Sequence, residues 1–144
     1  MKRCVAQLVM AFLLLFAGGS AYILFRPDTT LLFCVLAKAG FSDAMYHIRA
    51  AAEVGLPYWM VYCLPGALWV GAYILITDTV LTGWSIRAKL SAASLIMTVG
   101  VVSELLQSVS ALPGTFDFAD IVAYMAPFSL YVILIIAKNK VVLS

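Results

Sequence analysis

The chain is expected to be all-α, an integral membrane four-helix bundle with short interfacial helices between spans 1 and 2. Three observations predict this. Of 144 residues, 65% are hydrophobic and only 11% are charged, where a soluble domain carries about a quarter charged residues. Apolar runs of about 20 residues, long enough to cross a bilayer, recur along the chain. No hydrophilic stretch is long enough for a separate soluble domain, so residues 1–144 form a single membrane domain.

The first span is expected at about 4–25. Lys2-Arg3 precede it and Arg26-Pro27-Asp28 end it. Gly19-Ser20-Ala21 resembles a small-residue cleavage site. The apolar run nevertheless continues through Tyr22, Ile23, Leu24 and Phe25, so an uncleaved span is preferred.

Thr29 to Phe41 is apolar but too short to cross. With Asp28 or Thr29 to cap its start and Gly40 its end, it predicts a short helix at the interface. Ser42 can then cap a second short helix from Asp43 to about Val54. That stretch holds His47, the only histidine, which suits a polar residue on an interfacial helix.

The second span is expected at about 57–77. Pro57 suits a first helical turn, and Tyr58, Trp59 and Tyr62 suit an aromatic belt at the interface. Pro65-Gly66 predicts a kink or broken turn. Asp78, near the far end, is expected at the interface, paired with Arg87 or Lys89. A basic loop, Thr82 to Lys89, leads to a third span at about 90–111. A turn over 112–118 leads to a fourth at about 119–137.

Under this layout Lys2, Arg3, Arg87, Lys89, Lys138 and Lys140 share one side, and Arg26, Lys38 and Arg49 the other. The excess of Lys and Arg on one side places both termini in the cytoplasm. The net charge of +2 is small, so nucleic acid is not an expected partner. Cys4, Cys34 and Cys63 lack metal-ligand spacing. No nucleotide-binding, zinc-protease or nucleophile-elbow motif occurs. No metal and no cofactor are expected, and no catalytic residue is identified.

The polar residues of the last two spans are the candidate site. Glu104 lies nine residues before Pro113, roughly 13 Å along a helix. That depth approaches the midplane of a core about 30 Å thick, where a carboxyl group is costly unless protonated, paired or wetted. Glu104 and Gln107 share a helix face, as do Asp117, Asp120 and Tyr124. The short turn makes the two spans antiparallel neighbours, so these faces can meet. Either Glu104 is a neutral structural link between helices, or the carboxylates line an outward-facing polar cleft. Arg26 and Arg49 are secondary candidates, as a guanidinium folded over that cleft or as plain juxtamembrane anchors.

At these residues the chain resembles the VanZ-like family of bacterial membrane proteins. The pattern is Glu104-Leu105-Leu106-Gln107, then a short turn, then Asp117-Phe118-Ala119-Asp120. The likeness covers about a quarter of the chain. The family usually has an arginine near Gly114 or Thr115, an asparagine at Tyr124 and a glycine near Pro127, and this chain has none of the three. The resemblance implies a multi-pass protein of the bacterial inner membrane, with Glu104, Gln107, Asp117 and Asp120 as a site. The family's named association is resistance to the glycopeptide teicoplanin.

Two function classes follow. In one, the cleft binds or acts on an envelope lipid or cell-wall precursor, in antibiotic or envelope-stress resistance. In the other, the chain is a non-catalytic membrane subunit or immunity-type protein whose outer helices bind a protein partner.

Overall fold

The computed structural model describes residues 2–25, 31–51, 55–112 and 115–143, without the side chains of 31–33, 51 and 139–143. All regular structure among the described residues is α-helical: α1 (Lys2–Phe25), α2 (Leu31–Lys38), α3 (Ser42–Ala51), α4 (Tyr58–Tyr62), α5 (Leu64–Val80), α6 (Ile86–Ser108) and α7 (Phe118–Leu143). By length and composition α1, α6 and α7 can each cross a membrane. Helix α5 is apolar but has 17 residues, about 26 Å at 1.5 Å per residue. Together α4 and α5 cover the expected second span.

The second span is not one kinked helix. The chain breaks at Cys63, and Pro65 falls in the first turn of α5. A proline there loses no helical hydrogen bond, because the first-turn N–H has no partner within the helix. The third span also shifts from the expected 90–111. Ser85 adopts an extended conformation and its Oγ accepts from Ala88 N at 3.3 Å. This N-cap starts α6 inside the basic loop, so Arg87 and Lys89 lie in its first turns.

Two helix ends close in the same way. Gly40, at φ 88°, lets Phe41 N donate to Leu36 O and Gly40 N to Ala37 O. This ends α2 at the glycine that the sequence marked. At the end of α6, Ser110 takes the same left-handed role at φ 57°, with Ala111 N on Leu106 O and Ser110 N on Gln107 O. Both are Schellman caps, a position that favours glycine.

Helix α5 is the centre of the bundle and packs against α1, α6 and α7. It runs antiparallel to α1: Gln7 meets Asp78 at one end, and Tyr22 meets Trp69 nearer the other. It runs parallel to α7, with Gly66 beside Tyr124 and Asp78 beside Tyr131. Val70, Ala72, Ile74, Thr77 and Asp78 of α5 are buried. Phe12, Phe16 and Ile133 on the outer helices are exposed, as lipid-facing side chains must be in a membrane bundle. Small residues set the helix spacing. A Cβ on Gly18 of α1 would lie 2.7 Å from the Trp69 ring and 3.2 Å from Pro65 O.

Candidate functional site

The antiparallel pairing of α6 and α7 brings Glu104 to the start of α7. Glu104 is only 4% exposed. Its Oε2 accepts from Asp117 N at 3.1 Å. The Asp117 side chain does two things. Its Oδ1 accepts from Ala119 N at 2.8 Å, capping α7, and its Oδ2 accepts from the Tyr58 hydroxyl at 2.9 Å. A carboxylate at a helix N-terminus satisfies donors that the helix leaves open and complements its dipole. Four helices are thus joined at this end: α6 through Glu104, α7 through Asp117, and α4 with the adjoining α5 through Tyr58.

The Tyr58 ring stacks on Tyr62, centroids 4.4 Å apart. Tyr62 in turn lines a cavity of about 200 Å³ shared with Tyr22, Trp69 and Tyr124. The Tyr124 ring sits between two glycines. A Cβ on Gly66 would meet Tyr124 Cε1 at 2.5 Å, and one on Gly100 would meet Cδ2 at 2.8 Å. Tyr58 and Tyr62 thus link the acidic end by contact to the residues that line this aromatic cavity.

The sequence-predicted residues separate into groups. Glu104 and Asp117 are in contact. Asp120 is half-buried one helical position row further into α7. Tyr124 is deeper still and lines the aromatic cavity. Gln107 is half-buried on the same side of α6 as Glu104, and its main-chain carbonyl closes the Schellman cap. Arg49 Nε donates to Ile23 O at 2.7 Å, tying α3 to the end of α1. Arg26, Pro113 and Gly114 lie outside the described residues.

At the opposite end a second polar centre forms around Asp78. The expected partner Lys89 is there, with Nζ 2.8 Å from Oδ1. Two further donors were not foreseen: Gln7 Nε2 on Oδ2 at 2.8 Å and the Tyr131 hydroxyl on Oδ1 at 2.9 Å. Arg3 stands 4.0 Å from Oδ2. One carboxylate on α5 thus collects donors from α1, α6 and α7. Both partners are largely buried among the helices: the Asp78 side chain is 12% exposed and Lys89 18%. A charge with this little exposure persists because it is paired and hydrogen-bonded.

Tyr58, Tyr62, Trp69, Gln7 and Tyr131 are the site residues that sequence reasoning did not single out. The first three carried only an interfacial-aromatic or apolar signal, and Gln7 and Tyr131 are 71 and 53 residues from the carboxylate they serve. Comparison with protein-family models, with curated protein sequences and with solved structures returns no match for this chain.

Proposed function

We propose that the acidic end is the mouth of a binding site for an envelope lipid or cell-wall precursor, in a VanZ-like protein of the bacterial inner membrane. The observation that supports it is the chain of contacts from Glu104 and Asp117 through Tyr58 to Tyr62, which lines the aromatic cavity. An amphiphile needs such a pairing of polar rim and apolar interior. The rim offers carboxylates, so it favours a head rich in hydroxyl or amine donors and disfavours a bare phosphate. The surplus of Lys and Arg at the other end turns the acidic end outward, with both termini cytoplasmic.

Native mass spectrometry of the detergent-purified protein tests this reading. The expected result is retained lipid with a sugar or amine head. Retention falls roughly tenfold in Asp120→Asn and in Tyr124→Ala, a loss of about 1.4 kcal/mol, while both variants keep a cooperative melting transition. Wild-type retention in both variants would rule the site out.

A second reading has its own support. Glu104 is engaged in capping α7, which suits a structural link in a non-catalytic or immunity-type subunit. A stoichiometric protein partner that copurifies in place of lipid would favour it.

A further inference from the structure

We infer that the end opposite the acidic cleft holds a second site, for the phosphate head of an anionic membrane phospholipid. A cavity of about 600 Å³ opens there between α1, α5, α6 and α7, within the usual range for a small-ligand pocket of roughly 300–1,000 Å³. Its polar lining is unbalanced: Arg3, Lys89 and Lys138 face a single carboxylate, Asp78. Lys89 is committed to that carboxylate at 2.8 Å. Arg3 reaches it only at 4.0 Å and its side chain is 66% exposed, and Lys138 is exposed as well. The positive charge left over sits at the rim, where it attracts an anion.

The rest of the lining identifies the anion as a lipid's. Trp84 stands at the mouth, 64% exposed, and tryptophan settles at headgroup depth in a bilayer. Leu75, Leu134 and Ile135 form an apolar wall that a free inorganic anion would not use and that glycerol and the first acyl carbons would. The Asp78 network holds Gln7, Lys89 and Tyr131 in place, so the cavity is preformed. Basic residues near the cytoplasmic leaflet are attracted to anionic lipid.

The test compares full-length wild type with Arg3→Gln/Lys138→Gln, in nanodiscs of phosphatidylcholine doped with phosphatidylglycerol of the same acyl chains. Tm and the number of bound phosphatidylglycerol molecules are read. The expected result is a rise in Tm and one tightly held phosphatidylglycerol in wild type, with affinity roughly tenfold or more weaker in the double variant. Wild-type phosphatidylglycerol affinity in the double variant overturns the inference. Stabilisation by inorganic phosphate equal to that by the lipid also overturns it, since the apolar wall would then play no part. The double variant leaves Asp78 and Lys89 intact, and its Tm in pure phosphatidylcholine reports whether it has folded.

Discussion

Glu104 Oε2 accepts a hydrogen bond from the main-chain N–H of Asp117, 3.1 Å away and thirteen residues later in the chain. This contact fixes the register of α6 against α7 and gives the buried carboxyl a donor. It also sets Asp117 where its side chain can cap α7 and receive Tyr58.

Glu104→Ala removes the acceptor and leaves the Asp117 amide without it. The expected cost is about 1–3 kcal/mol. Glu104→Gln keeps an acceptor oxygen of the same reach and is expected to lose less than half as much. Thermal unfolding in detergent ranks the two, and equal losses would mean that the hydrogen bond does not stabilise the fold.

Asp78 and Lys89 are coupled more strongly. Asp78→Asn leaves a largely buried ammonium without its counter-charge, and breaking a buried pair from one side costs about 3–5 kcal/mol. Replacing Lys89 by Met as well removes the orphaned charge. The double variant is therefore expected to be more stable than Asp78→Asn alone, and a double-mutant cycle measures the coupling. Simple additivity would contradict the pairing.

Gly100 tests the packing of Tyr124. Alanine ordinarily improves a helix by about 1 kcal/mol over glycine. Here its Cβ would meet Tyr124 Cδ2 at 2.8 Å and Cγ at 2.9 Å. The Cγ atom is at the root of the ring, so a swing of the ring tip does not relieve the clash, and overpacking costs about 1–3 kcal/mol. Gly100→Ala is expected to lower Tm, and adding Tyr124→Leu is expected to recover most of the loss.

Ser110 offers a gain. It occupies the left-handed position of a Schellman cap at φ 57°, where a side chain is strained and glycine is not. Ser110→Gly is expected to raise stability by about 0.5–1 kcal/mol. A lower Tm would show that the serine side chain contributes something the backbone geometry does not.

Much of this architecture was legible in the sequence. Apolar length gave the long helices, Gly40 marked the end of α2, and the short connection after Gln107 implied that the polar faces of the last two spans could meet. A basic partner for Asp78 across one loop, Arg87 or Lys89, was also legible, and the structure selects Lys89. The convergence of Gln7 and Tyr131 on Asp78 was not legible, because nothing in a one-dimensional spacing reports which helices become neighbours. Nor was the seat of Tyr124. Gly66 and Gly100 are ordinary small residues until α5 and α6 are brought to either side of one ring. The boundaries of α5 and α6 moved for local reasons, a proline that starts a helix and a serine that caps one.

An experimental map of the protein in a nanodisc of native polar lipids, with a rigid antibody fragment as fiducial, tests the central claim most directly. The expected result is a lipid whose head meets Asp117 and Asp120 and whose first tail segment enters the cavity among Tyr22, Tyr62, Trp69 and Tyr124. A map with Glu104 and Asp120 on opposite flanks of the bundle, each turned toward acyl chains, and with the aromatic cavity closed by its own side chains, would contradict it.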